Sequence, residues 1–176
     1  ESFRLFESNM SKYKGNRDKS VKPIYFDEIK KYLLKHQNGI LVEDNLEADD
    51  YVIIKAIETG GVVVGEDKDS WGCPVRVYNP SKREEGVVDC RGFGDIWISD
   101  NKSKNVVGRG RKWFYFQVAY GDPVDNYFAH AQSEVKHGEK SAYNVIKDCK
   151  DDKECLEALV ALYKRLYPEG KGYTTW

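Results

Sequence analysis

Cysteine and histidine are scarce in this sequence: Cys73, Cys90, Cys149 and Cys155, with His36, His130 and His137, are all that 176 residues contain. No CxxC pair and no HExxH occurs, which argues against a zinc knuckle, a dense disulfide framework and histidine-based metal or triad chemistry. A reducing cytosol is the default setting. Long apolar runs are missing too. Gly61-Val62-Val63-Val64-Gly65 falls far short of the ~20 residues of a membrane-spanning helix, and Glu1-Ser2-Phe3-Arg4 lacks the basic and apolar parts of a signal peptide. No membrane partner is expected, and the cytoplasm is the expected location (a host's cytoplasm if the chain is phage-encoded). The first residue is not Met, which fits a processed or trimmed product. A GxxxxGK[ST] loop is absent, against a nucleotide triphosphatase. Arg91-Gly92-Phe93-Gly94-Asp95 imitates a phosphate loop only in part, because Trp97 stands where a third Gly is needed.

Net charge is also nearly absent, with 28 Lys+Arg against 29 Asp+Glu. The balance hides segregation. Lys12 to Lys22 holds five cations (Lys12, Lys14, Arg17, Lys19, Lys22) and one anion, Asp18. Lys102 to Lys112 holds Lys102, Lys104, Arg109, Arg111 and Lys112 with no acid. Glu43, Asp44, Glu47, Asp49 and Asp50 oppose them within eight positions. Charge runs are most often solvated surface. Here, however, the acids fall where chain elements begin and end. The 40% hydrophobic and 13% aromatic content is enough for a core, and the length suits one domain or one with a small subdomain.

Phe26, Ile29, Leu33 and Leu34 fall at helical spacing and predict a helix from Pro23 to about Gln37, ended by Asn38-Gly39. Ile40-Leu41-Val42 is a strand candidate. Tyr51, Ile54 and Ile57 predict a helix from Glu47 to Glu58, closed by Gly60-Gly61. The β-branched Val62-Val63-Val64 reads as a buried parallel strand. This order predicts an α/β fold with a parallel sheet flanked by helices. Val75 to Ile98 reads as short strand pieces. Trp113 to Tyr120 reads as a buried aromatic helix, whose Trp113, Phe114, Phe116 and Tyr120 are at core spacing rather than set out to stack bases. Helices follow near Val145 and Leu159, and Lys171 to Trp176 reads as a loose tail. His130 and His137 are expected at the surface or in caps.

Glu47, Asp49 and Asp50 occupy the first turn of a predicted helix, where Glu47 and Asp50 share a face. The helix macrodipole accounts for one or two such acids, and less well for three. Asp67 and Asp69 follow the valine strand, and in extended chain both project to one side. Strand C-termini are where open α/β sheets bind ligands. Like charges placed so closely call for a hard cation, Mg²⁺ or Mn²⁺. A calcium loop fails, because Trp71 stands at its fifth position and Tyr78 at its twelfth. Asp122 and Asp125 form a third pair in Gly121-Asp122-Pro123-Val124-Asp125-Asn126, a sequence that alone would be a turn. Together the three clusters suggest metal ions clamping a phosphate, with the basic segments holding a nucleic-acid backbone.

Tyr13-Lys14-Gly15-Asn16-Arg17-Asp18, Glu47-Ala48-Asp49-Asp50, Asp67-Lys68-Asp69 and Gly121-Asp122-Pro123-Val124-Asp125-Asn126 occur in an order that resembles the flap endonuclease and 5′-nuclease family, in particular bacteriophage 5′-to-3′ exonucleases. Trp113-Phe114-Tyr115-Phe116-Gln117 before the Gly-Asp pair is similar to the phage type. The resemblance runs from about Phe3 to Ile146. It implies a PIN-like (resolvase-like) core over 1–120 and a helical, helix-three-turn-helix-like DNA-binding subdomain over 121–176. Two ions, Mg²⁺ or Mn²⁺, would hydrolyse DNA at 5′ ends, flaps or nicks. Glu47, Asp49 and Asp50 would surround the tighter ion, Asp67 and Asp69 would lie between or beside the ions, and Asp122 and Asp125 would serve the second. Lys14 and Arg17 would be the catalytic cations at the scissile phosphate. Lys12, Lys19, Arg109, Arg111, Lys112, Gly138, Lys140 and Ser141 would contact nucleic acid.

Two departures qualify that expectation. The family's opening strand with its Asp, and a second Asp before Ser2-Phe3-Arg4, are not in this sequence. On the order of 80 residues would complete a domain of ordinary size, so a separate or missing N-terminal segment is an expected partner. The turn at Lys136-His137-Gly138-Glu139-Lys140-Ser141 has one Gly where the family has two or more, which counts against the K⁺ ion often held there. The alternative is a non-cutting DNA-binding fragment that needs an upstream segment or partner chain.

Overall fold

The computed structural model describes residues 23–42, 46–131 and 133–168. Lys12, Lys14, Arg17 and Lys19, the acids Glu43 and Asp44, and the tail at Lys171 to Trp176 lie outside the described residues. Five α-helices occur in this part: α1 (Phe26–His36), α2 (Ala48–Thr59), α3 (Arg111–Tyr120), α4 (Glu139–Ile146) and α5 (Asp152–Leu166). The strands are β1 (Val62–Val64), β2 (Arg76–Tyr78), β3 (Val87–Asp89), β4 (Asp95–Ile98), β5 (Val106–Arg109), β6 (Gly121–Asp122) and β7 (Tyr127–Phe128). The chain is mixed α/β, with helices around a small mixed sheet. β1 lies parallel to β2 with Val63 opposite Val77, and β2 lies antiparallel to β3. The hairpins β4–β5 and β6–β7 are antiparallel. The expectation of a parallel sheet therefore holds for one strand pair among the described residues.

The helix α2 begins one residue after Glu47 and ends at Gly60, whose φ of 66° supplies the left-handed C-cap. The helix α1 starts at Phe26 rather than Pro23, because the Pro23 carbonyl accepts the Phe26 N–H in a preceding turn. Its apolar residues are not buried, and Ile29 is 56% exposed. Ile40-Leu41-Val42 forms no strand, with Ile40 and Leu41 both exposed. A short apolar run needs a neighbour to pair with, and propensity alone does not supply one. The valine strand is parallel but not fully buried: Val63 faces the core, while Val62 and Val64 are exposed at the sheet edge.

Two clusters of apolar side chains form the core. The larger gathers Ile96, Val106, Phe116, Ile146, Leu159 and Leu162 with neighbours around α3. The smaller joins Ala56, Val63, Val75, Val77 and Cys90, and Trp71 packs against both. The larger cluster draws on residues on both sides of position 120/121, so α3 shares its core with α4 and α5. Trp113 and Phe116 are buried as the helical spacing predicts, but Phe114 is 51% exposed. His137 is buried rather than at the surface, with Nε2 2.9 Å from the Ala119 carbonyl. The four cysteines are free. Among the described residues no helix is long and apolar enough to cross a membrane.

Candidate metal centre

Three short elements bring the acids together. Asp49 and Asp50 stand in the first turn of α2, where an acid is favoured by the unpaired N–H groups. Asp67 and Asp69 follow β1, but not in extended chain. Asp67 caps a 3₁₀ turn (Lys68–Gly72) and accepts the Asp69 N–H at 3.0 Å, so the two carboxylates do not project in strand alternation. An Asp at the start of a turn prefers this local bond to the ladder. Asp122 and Asp125 belong to the β6–β7 hairpin, in which Asp122 Oδ1 accepts the Val124 N–H at 2.8 Å. Gly121 makes the hairpin possible. It lies at φ 95°, and a Cβ there would stand 2.3 Å from the Tyr127 carbonyl oxygen.

Asp49, Asp50, Asp67, Asp69, Asp122 and Asp125 line one cavity of about 660 Å³. Glu47 does not line it and occupies the N-cap position of α2. Apolar residues such as Val52, Val64, Phe114 and Val118 line the cavity as well. Burial pushes the Asp69 carboxyl above the ordinary Asp range, and the charges of Asp67 and Asp122 push it further. Gln117 opposes that shift by donating its Nε2–H to Asp69 Oδ1 at 2.8 Å. Lys68 opposes it as well, and its Nζ lies 3.2 Å from Asp122 Oδ2. Cys73 also lines the cavity, and burial raises its thiol, with Asp69 and Asp50 adding to the effect. An all-oxygen set of clustered carboxylates, one of them costly to ionise, suits a hard divalent cation. As the side chains stand, no three His, Cys, Asp or Glu among the described residues converge to hold one ion. Their own contacts explain part of this: Asp67 is turned to a backbone N–H, Asp69 to Gln117 and Asp122 to Lys68.

The expected nucleic-acid contacts divide. Arg109 is exposed at the end of β5, and Gly138, Lys140 and Ser141 are exposed at the start of α4. Arg111 instead pairs with Asp152, its Nε 2.9 Å from Oδ1, joining the starts of α3 and α5. Lys112 is a correction to the sequence reading. Its side chain is 8% exposed, and Nζ donates to the Lys147 carbonyl at 2.7 Å and to Asp95 Oδ1 at 3.2 Å. A cation at a helix C-terminus is favoured by the dipole, and Lys147 is the last-turn cap of α4. The Gly92 and Phe93 carbonyls accept the Arg111 and Lys112 N–H groups, so the loop that imitates a phosphate site presents acceptors to α3.

Sequence reasoning missed Gln117, Lys68 and Cys73. Gln117 carries a usable signal as an amide within the aromatic run from Trp113 to Tyr120, where a polar side chain needs a partner. Lys68 is flagged only by standing between two acids. Compared with protein-family models, curated proteins and solved structures, the chain matches none.

Proposed function

We propose that this chain carries the divalent-metal site of a DNA nuclease that hydrolyses phosphodiester bonds at 5′ ends, flaps or nicks. The observation that carries the reading is that six carboxylates from three separate stretches line a single cavity. Asp49, Asp50, Asp67, Asp69, Asp122 and Asp125 would hold Mg²⁺ or Mn²⁺. Such ions, when bound, supply an activated water and stabilise the leaving oxygen. The chain's own part is to fix the carboxylates, and Gln117 does this for Asp69. Lys14 and Arg17 are proposed to face the scissile phosphate and offset its developing charge. Arg109, Lys140 and Ser141 are exposed and suited to backbone phosphates.

A second reading is a DNA-binding chain that does not cut without a further polypeptide. The lack of three converging ligands among the described residues favours it. Incubating the chain with a 5′-labelled flapped duplex separates the two, using Mg²⁺ or Mn²⁺ against an EDTA control. Metal-dependent short products support the nuclease. Salt-sensitive binding without cutting supports the second reading, and neither result overturns both.

A further inference from the structure

We propose that Lys68 is the internal counter-ion of the acidic cavity: its ammonium holds Asp122 when no divalent cation is bound and gives way when one enters. The proposal rests on the metal reading above. Lys68 opens the 3₁₀ turn between Asp67 and Asp69, and its Nζ reaches across to Asp122 Oδ2 at 3.2 Å. The contact ties the second acidic stretch to the third.

The two partners are unequally placed. The Lys68 side chain is 48% exposed and that of Asp122 is 21% exposed. The ammonium can therefore leave for water at little cost, whereas the carboxylate is left less hydrated and in need of a cation. The Lys68 backbone stays in place during such an exchange, because its carbonyl accepts the Trp113 indole N–H at 3.2 Å. Trp113 is itself buried in the larger core. A pinned backbone with a releasable side chain is the arrangement a replaceable counter-ion needs.

A single ammonium among Asp67, Asp69 and Asp122 leaves the group under-compensated. A divalent ion compensates it better, but only once the Lys68 charge withdraws. Lys68 thus sets the metal concentration at which the site fills, and it does so without being a ligand.

Mn²⁺ titrated calorimetrically into DNA-free protein tests this, comparing the unaltered chain with Lys68→Met and Lys68→Arg. Removing the ammonium that competes for Asp122, a partly exposed ion pair, should tighten Mn²⁺ binding by about fivefold. Lys68→Arg should stay within about threefold of the unaltered chain, since it keeps the charge. In an Asp122→Asn background the gain from Lys68→Met should shrink to under about threefold, because the ammonium has lost its carboxylate. Thermal melts without metal verify that each variant folds. Measurable Mn²⁺ binding that Lys68→Met leaves unchanged or weakens overturns the counter-ion and spares the metal site. Absence of Mn²⁺ binding in every variant overturns the metal reading and this inference with it.

Discussion

Replacing Asp69 with Asn should stabilise the metal-free protein and remove its response to metal. Burial raises the Asp69 carboxyl above its ordinary range, and Asp67 and Asp122 raise it further. A group whose folded pKa lies above the unfolded one adds stability below the unfolded value and loses it as pH rises through the folded one. Charging Asp69 is therefore a net cost to the fold. Asn has the same shape, and its Oδ1 can still accept the Gln117 Nε2–H that now reaches Asp69 at 2.8 Å. The substitution thus removes repulsion and desolvation of charge while keeping the bond. Relief of this kind is worth about 1 kcal/mol, which is roughly 2–4 °C in Tm for a chain of this size. The assay is a pair of melts, with Mn²⁺ and with EDTA, at pH 7 and at pH 4. In EDTA the variant should melt higher at pH 7, and the advantage should shrink toward pH 4 as the parent's Asp69, raised by burial, takes up its proton. Mn²⁺ should raise the Tm of the parent and not of the variant. A variant that melts lower than the parent in EDTA at pH 7 would refute the electrostatic argument. A variant that retains the full Mn²⁺ response would refute the role of Asp69 in holding metal.

Gln117→Leu should weaken Mn²⁺ binding by about tenfold through loss of the bond that fixes Asp69, with Gln117→Asn restoring part of it; calorimetric titration checks this. Lys112→Met should cost about 1–3 kcal/mol in urea melts, because the Lys147 carbonyl and Asp95 lose their shared donor, and it should leave DNA affinity unaltered within twofold. His137 should make the fold less stable as pH falls below 6.5, since burial depresses its pKa and Arg165 and His130 depress it further. The unfolded chain then binds the proton first, so stability is present above the unfolded value and is lost toward the folded one. His137→Gln, which can still donate to Ala119, should flatten this part of the pH profile in urea melts.

The elements read most clearly from the sequence were those whose determinants are local. The α2 boundaries follow from acids at its start and Gly60 at its end, and the aromatic run from Trp113 to Tyr120 forms a helix in which Trp113 and Phe116 are buried. What periodicity could not supply was the identity of the neighbour. Ile40-Leu41-Val42 has strand residues and no strand, and α1 has a helical stripe that nothing among the described residues buries. The site shows the same division. Six of the seven acids picked from the sequence line one cavity and Glu47 does not, and the sequence did not show how Asp67 and Asp69 point. The Asp69 N–H bonds to Asp67 Oδ1 and the Ser70 hydroxyl bonds to the Asp67 carbonyl, and these local bonds hold a 3₁₀ turn where extended chain was expected. The basic run from Lys102 to Lys112 likewise cannot reveal that Lys112 ends on the Lys147 carbonyl, because that contact spans 35 residues.

The helix α3 ties these observations together. One side of it, through Trp113, Phe116 and Ala119, is the centre of the larger core. Its other contacts set the cavity: Gln117 holds Asp69, the Trp113 indole holds the Lys68 carbonyl, and Gly121 at its end turns the chain into Asp122. Clustered carboxylates repel one another and, left on mobile chain, would spread apart. Asp69, through Gln117, and Asp122, through Gly121, are tied to α3, whose Trp113, Phe116 and Ala119 are buried in the larger core, so the repulsion between these two is resisted by buried apolar packing. A core change beneath Trp113 that leaves every carboxylate in the sequence should therefore loosen the acidic cavity before it unfolds the protein.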